Sequence, residues 1–398
     1  MKTKKLHILK LPSWYTSNFA PIGGRFVADQ AQILKSKGVE TNVLANVSLT
    51  IKNDKAEYFI LPYRAFLSEE NGLSVFRHYF RCLPKFPKPF NAKRWIKSTL
   101  KLFEKYQAQF GKPDLIHVHS AIWGGCAAAL IKEKYGIPYI ITEHRGIFGQ
   151  SCEYAKNTFK DWQTPFLEKA FSEAAAIIPV SENLTPKIQS FLNKKVSIIP
   201  ISNVLDTDFF HYKKRDKSEK IRFITTNNFS IAKAYDILFP AFDSACNEIP
   251  NLELTICGKN FWNNQEFEKI WQKIKNKNNF RFVGFKNSKE VRSELWQADI
   301  FVLASRVEAQ PVAVLEALSS GLPIVCTAVV PKIVATAENS IVVPVENEEK
   351  LQNAITEMAK NYQKYNGKAI SEHIKSVAGK EAFAKAIMEV YEQVLSEK

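Results

Sequence analysis

Long apolar runs and paired cysteines are both missing from this sequence of 398 residues. Without an apolar run of about 20 residues, no helix is expected to span a membrane. The cysteines stand mostly in apolar stretches and show no paired spacing, which predicts reduced thiols inside a cytoplasmic protein. They are Cys82, Cys126, Cys152, Cys246, Cys257 and Cys326. The length favours two domains, and neither a repeat nor a low-complexity tract argues otherwise.

Acidic residues are scarce relative to basic ones. The chain has 55 Lys and Arg against 40 Asp and Glu, which gives a formal charge of +15. A nucleic-acid partner is not expected, because no recognisable binding module organises these basic residues. An anionic membrane surface is favoured instead, since each basic residue near such a surface contributes on the order of 1 kcal/mol.

Residues 73–106 contain Glu104 as their single acid among many basic and aromatic residues. If this stretch is helical, it is predicted to lie on lipid headgroups and to hold the protein at the inner face of the cytoplasmic membrane. A solvated face above an apolar stripe explains the same residues, and the composition leaves both interpretations open. Pro84, Pro87 and Pro89 predict a non-helical hinge in the middle.

Alternating strand and helix patterns predict an α/β fold with parallel sheets. Although the charged start imitates a signal peptide, Lys10 and Pro12 interrupt its apolar run, so residues 6–11 are predicted to be the first strand. In the first half, further strands are predicted at residues 40–44, 58–62, 114–119, 138–142, 174–181 and 196–201. The dinucleotide-binding pattern GxGxxG is absent, which counts against a dehydrogenase.

His119 and His144 follow or end two of these strands. Ligands bind beyond the carboxyl ends of strands in open α/β sheets, so both histidines are candidates for a site, although packed strand histidines are more common. Gly23 and Gly24 precede a predicted helix and allow the backbone to come close to a ligand. A simple turn is the more usual role of such a pair.

Residues 298–327 are predicted to form a strand, a loop, a helix and a second strand. Glu308 lies in the loop and Glu316 in the helix. The N–H groups of Val312 and Ala313, at the start of that helix, would attract phosphate. The two carboxylates suit the hydroxyls of a sugar ring and a ribose, while solvated surface glutamates are the alternative that spacing alone leaves open.

The sequence from Glu308 to Glu316, followed by Gly321-Leu322-Pro323, resembles the E-x7-E signature of family 4 retaining glycosyltransferases. The resemblance implies a GT-B fold, with two Rossmann-like domains facing each other across a cleft. Residues 1–204 would bind the acceptor, residues 205–380 would bind the donor, and helix 381–398 would cross back to the first domain. The implied reaction is a retaining, metal-independent transfer of a hexose-type sugar from a UDP or GDP sugar to a glycan or lipid-linked acceptor. It would need no cofactor and would serve bacterial cell-surface polysaccharide synthesis.

The same resemblance implies roles for the candidate residues, with His144, Glu308 and Lys233 as the catalytic ones. Lys233 and the N–H groups after Pro311 would bind the diphosphate. Glu308 and His144 would contact the donor sugar, and Glu316 the ribose. The other donor-side candidates are Gly23, Gly24, Asn228, Gly258, Lys259, Phe285, Arg306, Val312 and Ala313, and the acceptor-side candidates are His119 and Trp123.

Some positions depart from the family pattern. Asn228 stands where the family has an arginine that grips the diphosphate, so Lys259 and Arg306 are candidates for the missing charge. Gln310 and Pro311 replace a usual aromatic residue and glycine. A sugar-nucleotide epimerase of the same fold and a catalytically inactive partner subunit are therefore the alternative functions.

Overall fold

The computed structural model describes residues 5–17, 23–149, 159–216, 218–262 and 264–397, so Cys152 lies outside the described residues. These residues form two compact units. The first contains the described residues up to 145, residues 159–201 and the C-terminal residues 384–397. The second contains residues 146–149 and 202–383. The chain passes from the first unit to the second after residue 201.

An eight-stranded sheet forms the centre of the first unit. Its strands are β1 (His7–Pro12), β2 (Glu40–Leu49), β3 (Phe66–Glu70), β4 (Leu73–Arg81), β5 (Leu115–His119), β6 (Tyr139–Glu143), β7 (Ala176–Pro179) and β8 (Ser197–Ile198). Their order is β3-β4-β2-β1-β5-β6-β7-β8, and only β3 pairs antiparallel among these strands. The chain leaves β1 toward β2 on one side, and β5 lies on the other. The carboxyl ends of β1 and β5 therefore frame a topological switch point, where such sheets bind ligands.

A six-stranded parallel sheet forms the centre of the second unit. Its strands are β9 (Ile221–Thr225), β10 (Leu252–Cys257), β11 (Phe280–Gly284), β12 (Ile300–Leu303), β13 (Ile324–Thr327) and β14 (Ser340–Val343). Their order is β11-β10-β9-β12-β13-β14. The chain moves outward from β9 to β11 and then returns to β12, so the switch point of this sheet lies between β9 and β12.

Helices cover the faces of both sheets. They are α1 (Arg25–Ser36), α2 (Lys55–Ile60), α3 (Lys88–Phe110), α4 (Cys126–Tyr135), α5 (Thr164–Ser172), α6 (Thr185–Gln189), α7 (Tyr235–Glu248), α8 (Gln265–Trp271), α9 (Ser288–Gln297), α10 (Val312–Ser319), α11 (Glu348–Asn361), α12 (Gly367–Ala378) and α13 (Lys380–Ser396). In the part of the chain that the structure describes, none of them is both long and apolar enough to cross a bilayer.

The second unit has two apolar cores, one on each face of its sheet. In β12, Ile300 and Val302 pack into one core, while Phe301 and Leu303 pack into the other. Successive side chains of a strand point to opposite faces, so a strand covered on both sides is apolar throughout. This explains the short continuous apolar runs from which β12 and β13 were predicted.

The stretch 58–62 was predicted to be a strand, and this prediction is wrong. It belongs to α2 and the turn that follows. Phe59 and Ile60 lie at the end of α2 and are exposed. An apolar run that faces solvent carries no information about a buried strand, which is the reason for the error.

The helical interpretation of residues 73–106 is also wrong for their first part. Residues 73–81 form β4, in which Phe76 and Tyr79 are buried. Only α3 is helical, and Pro87 and Pro89 lie at its start rather than in a hinge. Proline is tolerated there because the first N–H groups of a helix have no intrahelical partner.

Candidate functional site

The loops after β9 and β12 meet at the switch point of the second unit. Lys233 lies in the first loop and Glu308 in the second, and the Lys233 Nζ donates to Glu308 Oε1 at 2.5 Å. The Ser305 hydroxyl donates to the same oxygen at 2.8 Å. These contacts hold an ammonium and a carboxylate side by side at the carboxyl edge of the sheet. The structure therefore brings together two of the three predicted catalytic residues.

Arg306 does not supply the charge missing at Asn228, contrary to the prediction. It is only 8% exposed. Its guanidinium donates to both carboxylate oxygens of Asp236 at 2.6 and 2.9 Å, to Glu346 at 2.7 Å and to the Ile231 carbonyl at 2.6 Å. Because these partners take up four of its five N–H donors, Arg306 stabilises the loop that carries Lys233 and does not offer a free charge to a ligand.

Glu316 lies one turn into α10, and its carboxylate faces the same region. Burial raises its pKa from 4.5 to about 7. No described residue donates a hydrogen bond to this carboxyl group, although its backbone carbonyl accepts from Ser320 within the helix. A carboxylate that is half-buried and has no hydrogen-bond donor is unfavourable. The hydroxyl groups of a ligand would remove this cost.

A cavity of about 340 Å³ opens beside Glu316. Of the predicted residues, its lining contains Asn228, Lys233, Gly258, Phe285 and Glu316. Sequence reasoning missed Thr226 and Asn227, which also line it and whose Oγ1 and Nδ2 atoms are buried without a hydrogen-bond partner among the described residues. Their position directly after the central strand β9 is the signal that would have identified them.

Gly258 is required by a close approach of two backbones. A Cβ atom at this position would lie 2.1 Å from the carbonyl oxygen of Asn227. The Asn228 side chain strengthens the same contact, since its Oδ1 accepts from the Lys259 N–H at 3.0 Å. Asn228 thus joins the loops after β9 and β10. Lys259 is exposed, and its ammonium lies 5.4 Å from the ring centre of Phe285, which lines the cavity.

The helix α10 begins at Val312, and Pro311 is its N-cap rather than its first residue as predicted. No side chain caps this end. Val312 is 42% exposed, so the uncapped N-terminus is accessible to a ligand. Gln310 is buried and bonds Ser202 and the Asn203 N–H. It therefore anchors the loop, and the N–H groups of Val312 and Ala313 remain at the helix start.

In the first unit, a row of stacked rings ends at His144. The ring of His119 is stacked between those of His117 and His144, and its Nδ1 lies 3.1 Å from Nε2 of His144. Phe26 also packs against His144, with 4.1 Å between ring centres, and lies 6.1 Å from the ring of His119. His119 is only 1% exposed, so it does not reach an acceptor directly as predicted. It lies against half-buried His144 and fixes its ring.

Glu143 is a further residue that sequence reasoning missed. It ends β6 and is completely buried. Its carboxylate accepts from the Ser120 hydroxyl at 2.8 Å and from the N–H groups of Ala121, His144 and Arg145 at 2.9 to 3.0 Å. These bonds fix the turn that presents His144. Its position beside a predicted site histidine was visible, but its partners 22 and 23 residues earlier were not.

The remaining predicted residues of the first unit lie in its other loops. Trp123 is stacked on Trp162, with 5.5 Å between ring centres. Gly24 has φ of 77°, and a Cβ there would lie 2.8 Å from the Trp14 carbonyl oxygen. This glycine is therefore needed for packing before α1. Gly23 is exposed next to it.

Comparisons with known proteins agree with this arrangement. The model named Glycosyltransferase Family 4 matches residues 23–209, and the model named Glycosyl transferases group 1 matches residues 206–375. The chain is 25% identical over 328 residues to a putative teichuronic acid biosynthesis glycosyltransferase, TuaC, of Bacillus subtilis, which covers 81% of each chain. It is 25% identical over 244 residues to the UDP-Gal:alpha-D-GlcNAc-diphosphoundecaprenol alpha-1,3-galactosyltransferase of Escherichia coli, covering 57% of this chain and 60% of that one.

A solved structure of sucrose-phosphate synthase from Thermosynechococcus elongatus has the same fold. The TM-score is 0.77 at 16% identity, and the match covers 98% of this chain and 100% of that one. The two family models together extend over both units, and the sheets are those expected from the resemblance. The chain therefore belongs to the family 4 glycosyltransferases and has the GT-B fold.

Proposed function

We propose that this protein is a retaining glycosyltransferase that moves a hexose-type sugar from a UDP or GDP sugar to a glycan or lipid-linked acceptor. The observation that carries the proposal is the Glu316 carboxylate, which lacks a donor among the described residues and lines one cavity with Lys233. A ribose offers two neighbouring hydroxyl donors to such a group. The proposed reaction uses the nucleotide sugar as co-substrate and needs neither a cofactor nor a metal ion.

The residues divide the work between the leaving group and the sugar. When the bond from the anomeric carbon to the diphosphate breaks, negative charge develops on the leaving oxygen. Lys233 and the uncapped start of α10 would stabilise this charge. The acceptor hydroxyl forms the new bond on the same face and gives its proton to the leaving diphosphate. Glu308 would orient the hexose through its hydroxyls.

The nature of the relatives supports a place in bacterial cell-surface polysaccharide synthesis. One relative is named for teichuronic acid biosynthesis. The name of the other contains UDP-galactose and a diphosphoundecaprenol-linked acceptor. These names favour a UDP donor and a lipid-linked acceptor for this chain too.

We also propose that the first unit contacts the inner face of the cytoplasmic membrane through an exposed tip. The tip consists of Phe59, Ile60, Tyr63, Phe86 and Phe90, which are 43–80% exposed. Exposed aromatic rings near basic residues suit the interface of an anionic bilayer. Sedimentation with anionic vesicles should be salt-sensitive and should fall in a variant with Phe59→Ser and Phe86→Ser. The control is Trp262→Ser, an exposed ring of the second unit, and no binding at low ionic strength would contradict the proposal.

A thermal-shift comparison of nucleoside diphosphates tests the donor site. UDP or GDP should raise the melting temperature by mass action, and Glu316→Ala should abolish the shift. With acceptor present, Glu316→Ala and Lys233→Ala should each lower turnover at least about tenfold, or about 1.4 kcal/mol. The anomeric configuration of the product, read by NMR, should match that of the donor. Unchanged turnover in either variant would refute the assignment.

Product analysis separates the alternatives. An epimerase would convert the nucleotide sugar with no acceptor present, whereas a transferase would leave it largely intact. An inactive partner subunit would bind the nucleotide in calorimetry without turnover on any acceptor. The combination of Lys233, Glu308 and Glu316 around one site favours the active enzyme.

A further inference from the structure

A second cavity, whose charged lining is entirely basic, lies in the first unit apart from His144. It has a volume of about 560 Å³ at the carboxyl end of β4. Its charged lining consists of Arg81, Arg94, Lys97 and Lys101, and no acidic residue lines it. Tyr58 and Tyr63 complete one wall. The cavity therefore combines several positive charges with no internal counter-charge.

Arg81 forms the fixed floor of this cavity. Its guanidinium donates to the backbone carbonyls of Tyr58 and Leu61 and lies 3.6 Å from the ring centre of Tyr63. These contacts hold the end of α2 against the end of β4. Because carbonyl groups are neutral, the positive charge of Arg81 remains uncompensated.

The basic residues of α3 that line the cavity have N–H donors that are not used by the described residues. Arg94 uses Nη1 for the Arg81 carbonyl and for Asn91, while its Nε and Nη2 donate to no residue in the described ranges. Lys97 and Lys101 form neither an ion pair nor a hydrogen bond with the described residues. The lysines on nearby helices differ, since Lys132 and Lys134 each pair with a glutamate. Unlike those two lysines, Lys97 and Lys101 therefore keep their ammonium groups available to a ligand.

The spacing along α3 adds to the argument. Lys93, Lys97, Lys101 and Lys105 follow one another at intervals of four residues, and all are exposed. Like charges one turn apart destabilise a helix. An anion that binds between them would relieve the repulsion, and only Lys97 and Lys101 of this row line the cavity.

We propose that this cavity binds a phosphate or diphosphate group, and that the group belongs to the sugar acceptor. A guanidinium with free donors beside two ammonium groups suits phosphate oxygens. Arg81 and His144 lie at the same edge of one parallel sheet, with β4 three strands from β5 and four from β6. At the usual strand spacing the cavity lies about 14 to 19 Å from the histidine row. The assignment to an acceptor rests on the proposed function, whereas phosphate binding itself does not.

Two probes test phosphate binding and identify its source. Inorganic pyrophosphate is titrated by calorimetry into the Lys233→Ala protein, which lacks the cation proposed for the donor diphosphate. Phosphatidylcholine vesicles with phosphatidic acid are compared with vesicles in which oleate gives the same surface charge. Binding of pyrophosphate supports a soluble phosphate-bearing ligand, and a preference for phosphatidic acid supports a lipid-borne one. If pyrophosphate does not bind and the vesicles with phosphatidic acid are not preferred, the proposal is overturned.

A matched pair of variants separates the cavity from net charge. Lys97→Gln with Lys101→Gln removes the two lysines of the cavity, and Lys93→Gln with Lys105→Gln removes two others from the same row. The Lys97→Gln, Lys101→Gln variant should bind the phosphate probe at least about tenfold more weakly, equivalent to about 1.4 kcal/mol. The second should have a much smaller effect, because exposed charges outside the cavity are screened. Equal losses in both pairs would refute the proposal.

Activity then tests the acceptor assignment. The Lys97→Gln, Lys101→Gln variant should raise KM for a phosphate-bearing acceptor while the melting-temperature shift by UDP stays unchanged. If phosphate binding is lost but KM is unaffected, the site exists and its assignment to the acceptor is wrong. If UDP does not raise the melting temperature of the unmodified protein, the proposed function fails instead. Failure of the proposed function is thereby distinguished from failure of the acceptor assignment.

Discussion

The ionisable cluster around Lys10 in the first unit and the Glu316 carboxyl in the second differ in how their hydrogen bonds are satisfied. In the first unit, Lys10 and His117 are inaccessible to solvent, and burial lowers the pKa of both. Lys10 Nζ lies 2.7 Å from His117 Nδ1, and the Tyr391 hydroxyl lies 2.6 Å from the same nitrogen. His117 Nε2 contacts the Thr142 hydroxyl at 2.7 Å. In the second unit, burial raises the pKa of Glu316 to about 7, and its carboxyl has no partner among the described residues.

The difference separates structural groups from ligand-binding groups. The cluster of the first unit satisfies its own hydrogen bonds and connects α13 to the centre of the sheet through Tyr391. It therefore needs no ligand. Glu316 is half-buried beside a cavity and lacks such bonds, and a ligand that supplies them would explain why its carboxyl is held there. At the switch point of the second unit, the site is distinguished by several polar groups that line one cavity and are unsatisfied among the described residues, those of Glu316, Thr226 and Asn227, rather than by burial alone.

Arg306 gives the largest expected effect, because it is a satisfied group inside the site-bearing unit. Arg306→Met should lower the free energy of unfolding by about 2 to 3 kcal/mol, since it leaves Asp236 and Glu346 without their partner. The effect stays at this level because both carboxylates are half exposed. Chemical denaturation measures it. The control is Lys259→Met. Lys259 is the other basic candidate for diphosphate binding, and because it is exposed its replacement should change stability little.

Glu316 should produce a pH dependence of the opposite sign to that of the first unit. The folded carboxyl keeps its proton up to about pH 7, whereas the unfolded one loses it near 4.5. Between these values the folded state binds more protons, so stability falls as pH rises. Glu316→Gln should remove this slope and stabilise the second unit at pH 8 by roughly 1 to 3 kcal/mol. Melting curves of both proteins from pH 4 to 8 provide the measurement, and parallel curves would contradict the assignment.

Much of the second unit could be predicted from the sequence because its signals are local. The apolar run of β12, the carboxylates eight residues apart and the glycine-proline stop lie within one stretch of chain. A strand buried on both faces has a distinctive pattern, and so does the helix after it. Glu308 and Glu316 were therefore located correctly on a loop and a helix.

The hydrogen-bond and ion-pair partners of individual side chains could not be predicted, because these partners are distant in the sequence. Arg306 and Lys233 are both basic residues in loops. Arg306 is bound by Asp236, 70 positions away, and by Glu346, 40 positions away. The strand β4 was missed for a related reason, since its β-type pattern was hidden by basic residues and its pairing with β2 and β3 is tertiary.

Tyr391 tests whether the buried cluster of the first unit is structural. Tyr391→Phe removes the hydroxyl contacts to His117 and Lys10 and should cost about 1 to 2 kcal/mol of stability. Since folding lowers the pKa of His117, the unfolded state binds more protons below about pH 6.5, and stability falls as pH drops through that value. Denaturation at pH 5.5 and 7.5 measures both effects. The control is Tyr135→Phe, whose hydroxyl contacts Glu104 near the surface, and similar losses in the two variants would contradict the argument.

The smallest expected effect concerns two adjacent asparagines after β9. The Nδ2 of Asn227 is buried without a described partner, so Asn227→Ala should leave stability nearly unchanged. Nucleoside diphosphate affinity should nevertheless fall by about 1 kcal/mol, or roughly fivefold, if this amide donates to the ligand. Asn228→Ala should do the reverse, because it loses the bond to the Lys259 N–H, and the exposed Asn228 side chain has no buried donor without a partner. Calorimetry measures the nucleotide affinity of both variants, and denaturation measures their stability. Equal changes in affinity and stability for the two would show that an unsatisfied buried group does not mark the ligand site.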